Sequence, residues 1–87
     1  MALNTAQFDS LFVNAFGGAP AEFGIETDGS APDAIGRAGE HTVELFIVQQ
    51  RAIEWRVDGA PLVAWKQYPK DAPARQQNAA ALRVKLA

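Results

Sequence analysis

The acid–base chemistry open to this 87-residue chain rests on one histidine, ten acidic residues and eight basic ones, with no cysteine. His41 stands beside Glu40 and three residues before Glu44. A metal ion would need the three to converge. On a strand, however, Glu40 and Glu44 share one face and His41 takes the other. His41 therefore reads as a polar residue at a strand entry rather than a ligand. A single histidine without a positioned serine and aspartate does not make a nucleophilic triad. Glu22 and Glu26 have the spacing of surface carboxylates on a strand, and so small a core leaves little room for a catalytic cleft. No catalytic residue, metal or cofactor is expected, and the chain reads as a non-enzyme.

Recognition is the chemistry that remains. Lys66, Tyr68, Lys70, Arg75, Arg83 and Lys85 concentrate positive charge and one aromatic ring late in the chain, and they are the candidate partner-binding residues. Trp55, Trp65, Tyr68, Lys66, Lys70 and Arg75 would offer a modest nucleic-acid surface. The net charge of −2 disfavours that reading, because phosphate affinity follows local positive density. Residues 1–50 hold seven acids and one base, giving −6. Residues 51–87 hold seven bases and three acids, giving +4. Either the two halves pair within the molecule, or the chain is dipolar and meets unlike surfaces head to tail. The first alternative is the expectation, because exposed charges usually contribute little.

The elements that must carry these residues follow from periodicity. Phe8, Leu11, Phe12, Ala15 and Phe16 form one helical stripe. Asn4 suits the N-cap with Gln7 at N3, and Leu3 and Phe8 fall at the staple positions. Gly17–Gly18 and Pro20 end the helix. Ala21 to Glu26 alternates as a first strand, Asp28–Gly29 marks a turn, and Ser30 to Glu40 reads as a loop with a helical turn near Asp33–Gly36. Thr42 to Gln49 is β-branched and apolar on both faces from Leu45 to Val48, so it is expected as a doubly covered central strand. Ile53, Trp55 and Val57 alternate into the Asp58–Gly59 hairpin signal, with a return strand over Leu62–Tyr68. The tail is ambiguous from Ala74, and its end alternates at Ala80, Leu82, Val84 and Leu86. It therefore reads as a strand from Ala80, with Arg83 and Lys85 pointing outward towards Glu54.

The expected fold is α+β: one domain over residues 1–87, with an N-terminal amphipathic helix packed on a small, mostly antiparallel sheet or partial barrel of about five strands. Apolar residues make up 48% of the chain, yet 17 residues are alanine. The core must therefore come from the larger side chains. The helix stripe is expected to meet Phe23, Ile25, Leu45, Ile47, Trp55 and Val57. No apolar stretch reaches a membrane-spanning length and no basic leader precedes one, so neither a membrane nor export is expected.

Three short resemblances remain. FGGAP at Phe16–Pro20 occurs in integrin-type propeller repeats, but the acidic calcium loop that belongs with it is missing and a helix end explains the glycines. QFDSLF at Gln7–Phe12 resembles the peptide by which bacterial replication proteins bind the sliding clamp, although Leu11 and Phe12 are needed by the core. The opening ALNTAQFDSLFVNAFGGAPAEFGIE is similar to the start of small tailed-phage head–tail joining (tail-attachment) proteins. Phe8, Asp9, Leu11, Phe12, Ala15, Phe16, Gly17 and Pro20 carry that likeness over about 25 residues, and over Trp55–Val63 the match is loose. The resemblance implies an N-terminal helix followed by a small β-barrel, no catalysis, and copies assembled as a ring between portal and tail. On that basis the chain is expected to be a structural, assembly-type protein of a virion or of the bacterial cytoplasm, working through protein partners and a head-to-tail homo-oligomer. The alternatives are a small phage-encoded inhibitor or adaptor for one host protein, such as an anti-defence protein or a clamp inhibitor, and a small nucleic-acid-binding module.

Overall fold

A computed structural model of the protein describes residues 3–30, 33–49, 52–62 and 72–87. Helix α1 spans Thr5–Phe16 and starts on a closed capping box. Asn4 Oδ1 accepts the Gln7 amide at 2.8 Å, and Gln7 Oε1 accepts the Asn4 amide at 3.0 Å. Two of the four amide groups that a helix start leaves unpaired are satisfied in this way. Gly17 ends the helix in the left-handed region at φ 75°, where a side chain would be strained, and its amide donates to the Val13 carbonyl.

Five strands follow: β1 Glu26–Asp28, β2 Ile35–Ala38, β3 His41–Gln49, β4 Ala52–Val57 and β5 Ala60–Pro61. They form one antiparallel sheet in sequence order, β1-β2-β3-β4-β5. The register pairs Val43 with Val57 and Leu45 with Trp55, which places these four on the face turned to the helices. Asp58 and Gly59 both have positive φ, 52° and 84°, so the β4–β5 turn is of the primed type that the Asp–Gly pair indicates.

The chain is thus an α+β protein whose N-terminal helix packs on the antiparallel sheet. The core joins Phe8, Phe12, Ala15 and Phe16 of α1 to Ile25, Val43, Trp55, Val57, Leu62 and Leu82. Phe23 and Leu45, both expected in the core, pack against it half-buried, and the side chain of Ile47 lies outside the described residues. Trp55 is the hub. Its ring lies 5.5, 5.5 and 5.2 Å from those of Phe8, Phe12 and Phe16, with interplanar angles of 79°, 88° and 69°. Its indole N–H is buried without a hydrogen-bond partner. An orphaned donor costs about 1–3 kcal/mol, while edge-on aromatic pairs contribute about 0.5–1.5 kcal/mol each. Three such pairs and the area of the ring outweigh the orphan. Gly36 on β2 makes this packing possible: a Cβ there would stand 2.7 Å from Ile25 Cγ2 and 3.2 Å from Phe8 Cζ.

Several expectations need correction. The segment expected as a strand over Ala21–Glu26 is mostly a 3-10 helix, Pro20–Phe23. Pro20 sets its first turn, Glu22 Oε2 accepts the Ala19 amide at 2.6 Å, and Gly24 closes it at φ 71°. The expected loop over Ser30–Glu40 contains β2 rather than a helical turn. β3 is central but not covered on both faces, because Phe46 on its outer face is 38% exposed beneath the Arg56 guanidinium. The return strand is described only as Ala60–Pro61, with Leu62 N–H donating to the Trp55 carbonyl, and the rest of Leu62–Tyr68 lies outside the described residues.

The largest correction is the tail. Ala72–Leu86 is a 15-residue helix, α2, not a strand from Ala80. Its buried residues are Ala79 and Leu82, three apart as on a helix face, while Val84 is 75% exposed. The alternation at Ala80, Leu82, Val84 and Leu86 is coincidental. Alanine and long straight side chains favour a helix, and Pro73 is tolerated in a first turn whose amides have no partner within the helix.

Candidate functional site

α2 lies against the C-terminal end of α1, and its polar residues hold it there. Arg75 Nε–H donates to the Asn14 carbonyl and Asn78 Nδ2–H to the Ala15 carbonyl, both at 3.1 Å. These are last-turn carbonyls, which the helix itself leaves unpaired and around which the helix dipole is negative. A cation is the appropriate partner. Gly17, whose φ of 75° suits glycine, brings the chain past Arg75 here, and a Cβ at that position would meet Arg75 Cβ only at ordinary contact distance, 3.5 Å.

Between these helix ends and the 3-10 helix runs an open cleft of about 360 Å³. Phe16, Gly17 and Gly18 form one wall, Glu22 and Phe23 another, and Arg75, Gln76, Ala79 and Arg83 of α2 the third. Positions 75, 79 and 83 recur every four residues and therefore share one helix face. The small Ala79 leaves space between two guanidinium groups. Arg83 stacks on Phe23, its Cζ 4.3 Å from the ring centroid, so the flat face is desolvated and the N–H edge stays free. Glu22 is the one carboxylate among the described residues that line the cleft, and its Oε2 is held by the Ala19 amide.

Of the six residues singled out for partner binding, Arg75 and Arg83 come together in this cleft. Lys85 is exposed near the end of α2, away from it, and Lys66, Tyr68 and Lys70 lie outside the described residues. Neither Arg83 nor Lys85 meets Glu54, which instead pairs with Arg56 at 2.6 Å. Sequence reasoning missed Phe23 as the platform for Arg83 and Gly17–Gly18 as a cleft wall. The i, i+4, i+8 spacing of Arg75, Ala79 and Arg83 was the signal that could have found the site.

The electrostatics also differ from expectation. Among the described residues the ion pairs are Arg37–Asp28, His41–Asp58 and Arg56–Glu54, all within the sheet and its turns. Among the described residues no base of the second half forms an ion pair with an acid of the first half, so the expected intramolecular pairing is not formed among them. Asp9 accepts from Thr27 Oγ1, and Asp33 accepts the Leu3 amide. Glu26, Glu40 and Glu44 have no partner among the described residues. α2 carries Arg75, Arg83 and Lys85 without one acid. The molecule therefore shows an acidic sheet layer and a basic helix.

His41 is not near a metal-ligand set. Its Nδ1 lies 2.6 Å from Asp58 Oδ2, while Asp58 Oδ1 accepts the Thr42 amide at 2.9 Å. The hydrogen bond from His41, followed by that from Thr42, holds the Asp58 carboxyl below its ordinary value. Asp28 is lowered too, first by the Ser30 hydroxyl and then by the Ser30 amide and Arg37. Among the described residues no group of three or more His, Asp or Glu could hold a metal ion, and no helix is long and apolar enough to cross a membrane. No protein-family model, curated protein or solved structure matches this chain.

Proposed function

We propose that this chain is a non-enzymatic assembly protein that acts through protein–protein contacts with copies of itself and with a larger assembly. Most concretely, it is a head–tail joining component of a tailed-phage virion. The observation that carries the reading is the separation of charge: Arg75, Arg83 and Lys85 of α2 have no carboxylate partner among the described residues, and Glu26, Glu40 and Glu44 of the sheet layer have no cationic one there. Surfaces of opposite charge on one chain can meet between copies. The resemblance of the first 25 residues implies an N-terminal helix followed by a small β-barrel; the N-terminal helix and the antiparallel strands support the more specific form, although the described strands form an open sheet.

Light scattering at rising concentration tests this. The expected result is a mass above the 9.4 kDa of one chain at low salt, falling as salt shortens the screening length to about 3 Å at 1 M. A monomer under every condition, with no growth when portal or tail proteins are added, would overturn the proposal. A one-to-one complex with a single host protein would favour the inhibitor instead.

A further inference from the structure

We propose that the cleft between α1 and α2 is the acceptor for the β2–β3 hairpin tip of a second copy, with Glu40 of each protomer seated against Arg75 and Arg83 of the other. The inference rests on the self-association proposed above and names its surface. On the receiving side, Arg83 has no carboxylate partner among the described residues, and Phe23 beneath it fixes the plane of its guanidinium. Arg75 spends only its Nε–H on the Asn14 carbonyl, leaving its terminal N–H groups. Two guanidinium groups beside apolar Phe16, Phe23 and Ala79 suit a carboxylate on a compact turn.

The entering side is equally defined. Ala38 pairs with His41, so Gly39 and Glu40 are the whole loop, and Gly39 makes the turn at φ 59°. Glu40 is exposed and has no partner among the described residues. Its neighbours are fixed, because Asp58 binds both the His41 ring and the Thr42 amide. A stiff tip loses little freedom on docking.

The register places tip and cleft at the same end of the molecule. Glu26 pairs with Arg37, one residue before Ala38, and the 3-10 helix that lines the cleft ends only three residues before Glu26. The tip belongs to the sheet layer and the cleft to the helix layer. Two copies meeting end to end about a twofold axis, in the sheet plane and across the strands, set each helix layer against the other's sheet layer. Each tip then faces the other copy's helix layer, which holds the cleft, in an isologous and self-limiting contact. The chain's net charge of −2 disfavours nucleic acid as the occupant, since phosphate affinity follows local positive density.

Sedimentation equilibrium at about 50 mM salt, with circular dichroism to confirm folding, tests the contact. Glu40→Lys and Arg83→Glu are each expected to weaken dimerisation by ~10-fold or more. An equimolar mixture of the two is expected to restore it. In one cleft of the mixed pair the introduced lysine of the first variant faces the introduced glutamate of the second. In the other cleft the native Glu40 faces native arginines. Arg83→Gln is expected to weaken dimerisation without reversing the charge. Unchanged association in both charge-reversal variants, or no recovery on mixing, overturns the contact while wild-type association keeps the assembly reading alive. A wild-type monomer overturns the contact, and the assembly reading then stands or falls on the portal and tail arm. Binding of a labelled dT20 oligonucleotide that Arg83→Glu abolishes would assign the cleft to nucleic acid and overturn it as well.

Discussion

The two helices of this protein do different work. α1 buries Phe8, Phe12, Ala15 and Phe16 almost completely against Trp55 and the sheet. α2 is longer, yet its buried residues are Ala79 and Leu82. The free energy of the fold is concentrated where aromatic rings meet, because burial scales with apolar area and each large ring removes roughly 150–250 Å² from water. α2 is held instead by Leu82 and small Ala79, by half-buried Ala81 and Leu86, by Arg83 stacked on Phe23, and by two side-chain bonds to the carbonyls of α1. It can therefore display charge that the core neither needs nor neutralises. In so small a chain, the packing load falls mainly on one helix and the positive charge on the other.

Substitutions can break that contrast. Phe12→Ala is expected to cost about 3–5 kcal/mol. At about 4–8 °C per kcal/mol, that lowers the melting temperature by tens of degrees or prevents folding. Leu82→Ala is expected to cost about 2–4 kcal/mol by leaving a cavity under α2. Equal losses in thermal denaturation would show that α2 is as much core as α1. Gly36→Ala probes the contact beneath Phe8 and should cost about 1–3 kcal/mol through overpacking. A neutral or stabilised variant would mean that β2 can shift away from Phe8. Asn4→Ala removes one half of the capping box and is expected to cost about 1 kcal/mol.

The pH effect is expected to be the smallest. The folded pKa of Asp58 is depressed, chiefly by the His41 hydrogen bond. Its contribution is therefore complete above the unfolded aspartate value, about 3.9, and is lost as pH falls through the lower folded value. Asp58→Asn should flatten the decline of stability below about pH 4 without abolishing it, because Asp28 titrates in the same direction. An identical slope in wild type and Asp58→Asn urea titrations would show that the turn contributes nothing to acid sensitivity.

Much of the first 60 residues was legible. The helix stripe, its Asn4–Gln7 cap, its Gly17 stop, the Thr42–Gln49 strand and the Asp58–Gly59 hairpin are local signals, and each is present. β2 escaped notice because four residues with a central glycine carry no periodic pattern, and its glycine is explained only by Ile25 and Phe8 closing over it. The 3-10 helix escaped because Phe23 and Ile25 face the core just as alternating strand residues would.

By itself, then, the sequence determined the elements whose own residues suffice to specify them: caps, stops, the primed turn and the aromatic stripe. It also determined the unequal distribution of charge. Tertiary structure decided the fate of the tail. Alternation and helical spacing both bring Leu82 inward, and only the docking of Ala79 and Leu82 beside α1 separates the two. That docking placed Arg75 over the carbonyls of α1 and Arg83 over Phe23, residues 61 and 60 positions distant along the chain. No local pattern encodes a contact at that separation, because it arises only when two independently formed faces find surfaces that fit.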